Sequence, residues 1–400
     1  MVNIETIEKT RNRLAPVVFH TPLVPSPHLS RLVGAEVFLK LENLQRTGSF
    51  KIRGAYSRLY NLAAQGHEAV VAASAGNHAQ GVALAARLLN LKATIIMPEN
   101  VSLSKREATA AYGADVRLIG ECVEDCFSAA CSLEGGLTFI HPFDDEDVIL
   151  GQGSLGLEIL EDLPDLEAVV APVGGGGLIA GVAAAIKAKH PQVMILGVEP
   201  SRAASAGEAL KAGRPVEVHT EPTLADGTRV AKIGDLNLPL IQKYVDDVVQ
   251  VDEEHIAQAM LLLLERRRIV AEGAGALALA AFLARLVPRL KGRRVVLLVS
   301  GGNVDANLIG RIIDRRLVRS GRIFKFSVVL DDHPGALAKL LDVATSTRAN
   351  VLHIFHDRLG RNLPLDRSRV GLELETRGRE HIMEIKSFLA DRGYEISEEI

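Results

Sequence analysis

Tryptophan is absent from the 400 residues, aromatic side chains make up 4% of them, and neither charge sign predominates: 46 Lys and Arg face 49 Asp and Glu, a net charge of -3. No basic stripe with interleaved aromatics and no zinc-finger spacing occurs, which excludes the usual means of holding nucleic acid. Cysteine is scarce as well. Cys122, Cys126 and Cys131 fall within ten residues with no histidine close by, a pattern read as free helical thiols rather than a zinc site or a disulfide. The one long apolar run, Val169 to Ile186, contains Pro172 and four consecutive glycines, so a strand, a loop and a helix fit it better than a membrane span. MVNIETIEKTRNRL reads as an amphipathic helix, not a signal peptide, because charges interrupt any apolar core; the expectation is a cytoplasmic protein. What remains is a small-molecule partner.

The chain does have apolar bulk and regular alternation. Hydrophobic residues at 48% and charged residues at 24% can build a large core in two or three domains. Over the first three hundred residues, β-rich runs alternate with alanine-rich helical ones. Strands are expected at Val37 to Leu41, Ala69 to Ala73, Lys92 to Met97, Asp115 to Ile119 and Thr138 to Ile140. A second series follows at Ala168 to Ala171, Met194 to Glu199, Asp247 to Val251 and Arg294 to Val299. Such alternation predicts an α/β fold of parallel sheets covered by helices on both faces, in two lobes. Ligands in such folds bind where strand carboxyl ends meet helix amino ends.

One stretch, LENLQRTGSFKIRGAY from Leu41 to Tyr56, places a lysine at such a junction. Ser49 after Gly48 reads as a helix start, which puts Lys51 in the first turn, where amide dipoles converge as positive charge. Its neighbours Phe50, Ile52, Gly54 and Ala55 are apolar or small, and burial lowers an amine pKa and favours a neutral amine or an imine. The competing reading of any single such lysine is a helix-start residue that snorkels to water.

Three loops bear on the choice. Ser74-Ala75-Gly76-Asn77-His78 follows an apolar strand and opens a helix, so its amides suit a carboxylate; His78 is a structural polar contact more than a base, with no acid spaced to orient it. Gly174 to Gly177 join the strand AVVAPV to the helix LIAGVAAAIKA, where side-chain-free residues let amides wrap a phosphate. No Lys-Ser or Lys-Thr follows, which argues against a nucleotide P-loop. Two other readings stay open there: a loop that is glycine-rich for strand–helix packing alone, and a dinucleotide fingerprint of Gly175, Gly177 and Ala180 with Glu199 ending the next strand. Ser300-Gly301-Gly302-Asn303 ends a strongly apolar strand, and Ser300 can reach the nitrogen of a flat ring without holding it protonated, which suits β-elimination better than transamination.

GSFKIRGA, SAGNHAQGVA, GQGSLGLEI, GGGGLIAG, ADGTRV and SGGN occur in the order and approximate spacing of the fold type II pyridoxal-phosphate enzymes. Over roughly residues 5 to 318 the chain most resembles the threonine ammonia-lyases. The resemblance implies a two-lobed, tryptophan synthase β-like catalytic domain over 1–320, with a smaller lobe of about 50–150 inserted in the larger. It implies pyridoxal 5'-phosphate as cofactor and Lys51 as the Schiff-base lysine beside Phe50. Asn77 would contact the ring hydroxyl, Gly174, Gly175, Gly176, Gly177 and Leu178 the phosphate, and Ser300 the pyridine nitrogen. The loop of Ser74, Ala75, Gly76, Asn77 and His78 would receive the substrate carboxylate. Catalysis would rest on Lys51 and Ser300.

Departures from the serine racemases, which the chain also resembles, narrow the reaction. Their second catalytic acid is a serine where this chain has Ala75, which has no proton to give. Their divalent cation site aligns with Glu199, Ala203 and Ser205, and Ser205 removes one carboxylate, so no required metal is expected. The asparagine after His-Pro in the racemases is Phe143 here.

After the basic linker RRLVRSGR, residues 321–400 read as βαββαβ, ferredoxin-like: strands Ile323 to Leu330, Asn350 to His356, Arg369 to Glu375 and Tyr394 to Ile396, helices Ala336 to Thr347 and Arg379 to Arg392. The unit resembles an ACT domain, which implies an amino-acid effector at the turn of Asp332, Pro334, Gly335, Ala336 and Leu337. The hairpin RLGRNLPLDRSR reads as a solvated loop more than an anion site. The expected activity is deamination of L-threonine to 2-oxobutanoate and ammonia, and of L-serine to pyruvate, in a homodimer or homotetramer. Alternatives are a serine dehydratase or racemase, a nicotinamide oxidoreductase, and a non-catalytic amino-acid sensor.

Overall fold

The computed structural model describes residues 2–133, 137–360 and 363–398. It divides into two compact units, Met1–Asp305 and Ala306–Ile400.

In the first unit the larger sheet has the order Leu23–Pro25, Glu36–Leu41, Arg294–Val299, Ala168–Pro172, Met194–Pro200, Asp247–Val251. Neighbours are parallel except at Leu23–Pro25, which pairs antiparallel with Glu36–Leu41 at the edge. That three-residue strand was not expected, because it is too short to show a period; Pro25 is tolerated since an edge position needs no second ladder bond. Ala168–Pro172 is buried along its whole length, as a parallel strand covered on both faces must be. The smaller sheet, Asp115–Leu118, Lys92–Met97, Ala69–Ala73, Thr138–Phe139, is wholly parallel, and its residues fall between two strands of the larger one. Each sheet has its own core, Val169, Ile179, Val182, Ile195 and Leu298 in one and Ile52, Leu59, Val70, Val82 and Ile95 in the other.

The helix Glu146–Asp162 ties the lobes together. Asp145 caps it by accepting from the amides of Asp147 and Val148, and every side chain from Val148 to Leu160 is buried. Its backbone comes very close to two other helices. A Cβ on Gly151 would stand 2.4 Å from the Arg53 carbonyl of helix Lys51–Ala64, and a Cβ on Gly181, in helix Gly177–Lys189, 2.4 Å from the Ile149 carbonyl. The motif GQGSLGLEI therefore sets the spacing of the two helices that begin at Lys51 and at the glycine loop.

A buried charge network reinforces this crossing. Arg53 forks onto Glu42 (2.8 and 2.9 Å) and onto Glu158 (2.6 and 2.9 Å). Lys40 reaches Glu158 at 3.2 Å and Asp162 at 2.9 Å.

The second unit begins with the helix Ala306–Arg319, so most of the stretch expected to be a basic linker is helical. Its sheet, Asn350–Asp357, Arg367–Glu375, Ile323–Asp331, Ile396–Glu398, is antiparallel throughout. Helices Ala336–Thr347 and Arg379–Asp391 complete the βαββαβ pattern over a core of Phe326, Val328, Leu340, Leu372 and Ile385. The last strand lies two residues later than expected, because Gly393 at φ +81° closes the helix and the Tyr394 amide bonds back to Leu389. Arg361 and Asn362 of the long hairpin lie outside the described residues. Among those described, no helix is long and apolar enough to cross a membrane.

Candidate active site

Lys51 is the first residue of the helix Lys51–Ala64, and Phe50 occupies the cap position without a side-chain bond. Ser49 is not the cap it was expected to be. It forms an isolated antiparallel bridge with Gly301, and its hydroxyl is buried with no partner among the described residues. The Phe50 amide donates to the Ser300 carbonyl at 3.1 Å and the Gly302 amide to the Gly48 carbonyl at 2.9 Å. Backbone pairing thus stitches the Lys51 loop to the Ser300 loop.

The Lys51 side chain is exposed only in part, and it lines a cleft of about 730 Å³. Its Nζ donates to the Pro142 carbonyl at 2.8 Å and stands 5.3 Å from the centre of the Phe50 ring. Burial pushes its pKa down to about 8, partly opposed by the charge of Glu272. The snorkelling reading therefore fails.

The same cleft is lined by all five residues of the Ser74 to His78 loop, by Gly174 to Leu178 and by Ser300. Gly76 caps the helix Asn77–Leu88, whose first amides have no acceptor within the helix. His78 Nε2–H donates to the Ile140 carbonyl at 3.0 Å, and burial followed by the Lys51 charge pushes its pKa down to about 3. It is a neutral structural contact.

The glycine loop leaves no room for side chains. A Cβ on Gly175 would fall 2.2 Å from the Phe143 ring, one on Gly174 2.9 Å from Thr228 Cα, and Gly176 caps the helix Gly177–Lys189 at φ +94°. The Gly175 carbonyl accepts from Asn237 Nδ2 at 2.7 Å and from the Gly234 amide at 3.0 Å, which turns the loop's acceptor away and leaves its amides for an anion. An amine of lowered pKa, a side-chain-free anion seat and a hydroxyl at a strand end, all in one cleft, fit a phosphorylated aldehyde cofactor. Packing alone does not explain so tight a loop opening onto a cavity.

The dinucleotide reading fails at Glu199. That side chain is 1% exposed, and its oxygens accept from the amides of Ala206 and Gly207, 2.9 Å each, so it cannot bind a ribose in the cleft.

Two elements of the site were not foreseen. One is the Pro142 carbonyl. The other is Glu272, 4% exposed, which accepts from Asn77 Nδ2 at 2.7 Å; burial, then the nearby Asp226, push its pKa up to about 8. Its signal in the sequence was a lone acid directly before the wholly apolar helix Gly273–Leu283.

Residues 14–301 match the model of the pyridoxal-phosphate dependent enzymes, a range that contains every cleft residue just described. The chain belongs to that family. Its members' cofactor, pyridoxal phosphate, is this chain's cofactor, and Lys51, the glycine loop and Ser300 line one cleft. An L-threonine ammonia-lyase of Thermotoga maritima is 48% identical over 399 residues, 99% of each chain. Among solved structures, threonine deaminase isoform 2 of Solanum lycopersicum is 38% identical with a TM-score of 0.74, covering 78% of this chain and 86% of that one. A maize serine racemase is 35% identical with a TM-score of 0.74, covering 80% and 98%. The pyridoxal-phosphate enzyme fold expected from the motifs is thus the fold observed.

Proposed function

We propose that the chain deaminates L-threonine to 2-oxobutanoate and ammonia by β-elimination, and L-serine to pyruvate. One observation carries the reading: the buried Lys51 amine, at a pKa of about 8, shares a cleft with the glycine loop and Ser300. The names of the ammonia-lyase and deaminase relatives support the substrate.

Bound pyridoxal phosphate supplies the electron sink that makes the Cα proton of an amino acid removable. The chain does the rest. The amides of Gly174 to Leu178 hold the phosphate, and those of the Ser74 to His78 loop hold the substrate carboxylate at a helix amino end. Lys51, pointed by the Pro142 carbonyl, is neutral often enough near neutral pH to take the Cα proton. Ser300 offers the ring nitrogen a hydroxyl and not a carboxylate, which favours loss of the β-hydroxyl over transamination. Ala75 presents a methyl group where a racemase needs an acid. The released enamine tautomerises and hydrolyses to the oxo acid and ammonia.

The second unit is read as an ACT-type regulatory domain. Its βαββαβ order supports this, as does Gly335 at φ +91°, opening the helix Ala336–Thr347 beside Asp332, Pro334 and Leu337. The effector site is assigned to Asp332, Pro334, Gly335, Ala336 and Leu337, with isoleucine as inhibitor and valine as its antagonist. The protein is taken to be cytoplasmic and a homodimer or homotetramer, with small amino acids as its partners.

The test is a visible spectrum of the purified protein, then an oxo-acid assay with L-threonine. A cofactor band abolished by Lys51→Ala, together with oxo-acid formation, is expected. No band and no oxo acid would sink the proposal.

A further inference from the structure

The Asn77 carboxamide is fixed at both ends. Asn303 Nδ2 donates to its Oδ1 at 2.7 Å, and its own Nδ2 donates to Glu272 Oε1 at 2.7 Å. Asn303 also donates to the Thr47 carbonyl at 2.8 Å, which anchors the arrangement to the Lys51 loop. With its oxygen and one N–H committed, the amide cannot turn over, and its second N–H has a set direction. Glu272 rests against the backbone beside Ser300, for a Cβ on Gly301 would lie 2.2 Å from its Oε1. Glu272 is the N-cap residue of the helix Gly273–Leu283, yet its side chain makes no capping bond there and turns instead to Asn77.

We propose that Glu272 is a positioning residue for the cofactor ring: with Asn303 it locks the Asn77 carboxamide so that the remaining N–H is presented to the ring hydroxyl oxygen. The inference deepens the proposed function and rests on it. A carboxyl here does this job neutral or charged, since its carbonyl oxygen accepts in either state.

The ionisation itself leaves a trace. Burial and the charge of Asp226 raise the Glu272 pKa to about 8, against the Asn77 hydrogen bond and the charges of Lys105 and Lys51. Below that pH the carboxyl is neutral and adds no negative charge beside the ring; above it, an anion appears there. Comparison of wild type with Glu272→Gln isolates the Glu272 contribution.

The experiment is titration of apoprotein with pyridoxal phosphate, and a pH series of holoenzyme absorption spectra from 6 to 10, for wild type, Glu272→Gln, Glu272→Ala and Asn303→Ala. Glu272→Ala and Asn303→Ala should each weaken cofactor binding by about tenfold and shift the visible band, the scale of one hydrogen bond left without its orientation. Glu272→Gln keeps an acceptor for Asn77, so its affinity should stay within about twofold of wild type, while the part of the spectral pH dependence near 8 disappears. Should Glu272→Ala fail to fold, Asn303→Ala decides. Wild-type affinity and spectrum in whichever alanine variant folds, or cofactor binding by Glu272→Gln as weak as by Glu272→Ala, would overturn the positioning role alone. Failure of the wild type to bind pyridoxal phosphate would overturn the proposed function and this inference with it.

Discussion

Lys51 Nζ donates to the carbonyl of Pro142, 91 residues along the chain, at 2.8 Å. That bond joins the start of a smaller-lobe helix to the turn ahead of Glu146–Asp162, the helix that crosses both lobes. It also gives the amine a direction without adding a charge of its own, so burial lowers its pKa against only the charge of Glu272.

The first prediction concerns that amine. A lysine with a pKa near 8 is mostly protonated and inert below that pH and mostly neutral above it, whereas surface lysines make the same change near 10.5. In the apoprotein, competitive labelling with an amine-directed reagent, read by peptide mass spectrometry, should place half-maximal reactivity of Lys51 near pH 8, well below that of the bulk lysines. Labelling of Lys51 in step with the bulk would refute its burial as the source of activation.

Gly175→Ala should displace the anion seat. The added methyl meets the Phe143 ring at 2.2 Å, and the backbone that carries the ring is held: the Phe143 and Asp144 amides both donate to His141 Nδ1, at 3.3 and 2.7 Å, and the Phe143 carbonyl accepts from Asn237. Cofactor affinity should drop by about tenfold or more, the cost of overpacking a tight contact. A second change, Phe143→Ala, should recover much of it by opening the space. Normal cofactor binding by Gly175→Ala alone would mean the phosphate sits elsewhere.

What was legible in the sequence follows from the range of the interactions involved. The interior parallel strands showed because burial on both faces makes them continuous apolar runs, and the boundaries of Ala69–Ala73, Lys92–Met97 and Arg294–Val299 agree with the structure to the residue, as do those of the partly exposed edge strand Asp247–Val251. The glycine loop and the Ser74 loop showed because their chemistry is local. Ser49 misled because its hydroxyl and spacing matched a cap, while the backbone pairing that claims it comes from Gly301, far along the chain. Glu272 was missed for the same reason: its partner Asn77 lies 195 residues away, and neither residue announces the other. The end of the helix Ala306–Arg319, from Arg315 on, was taken for linker because its arginines read as solvated charge and hid an amphipathic period.

Arg53 is a stability prediction. Replacing it by methionine leaves Glu42 and Glu158 buried without their main partner, and loss of one member of a buried ion pair costs about 3–5 kcal/mol. The catalytic unit should unfold at markedly lower urea than wild type. Because Arg53 stands two residues after Lys51 in the same helix, cofactor affinity should weaken as well. A urea midpoint equal to wild type would show that the network is dispensable.

Regulation can be separated from chemistry. A ligand shifts an equilibrium only through its different affinities for two states, so removing residues 306–400, the whole second unit, should preserve turnover and delete any response to amino acids. Isoleucine should inhibit the full chain and valine should relieve that inhibition. If no amino acid alters full-length activity, the sensing role falls and assembly is what remains for the unit.

Ala75→Ser tests why elimination prevails. Racemisation needs a proton delivered to Cα on the face opposite Lys51, and the Ser74 to His78 loop lines the cleft with a methyl group at position 75. A hydroxyl there supplies a proton, in the same loop proposed to receive the carboxylate, and the hydroxymethyl is only one atom larger than the methyl it replaces. The variant should form D-serine from L-serine at a rate chiral chromatography can detect, while pyruvate formation declines, because each reprotonation returns an amino acid that would otherwise have lost its hydroxyl. The cofactor spectrum should stay as in wild type, since residue 75 is assigned no contact with the ring, and that constancy separates a new acid from a damaged site. Efficient racemisation by the wild type would show that the acid comes from another group and that Ala75 does not decide the outcome.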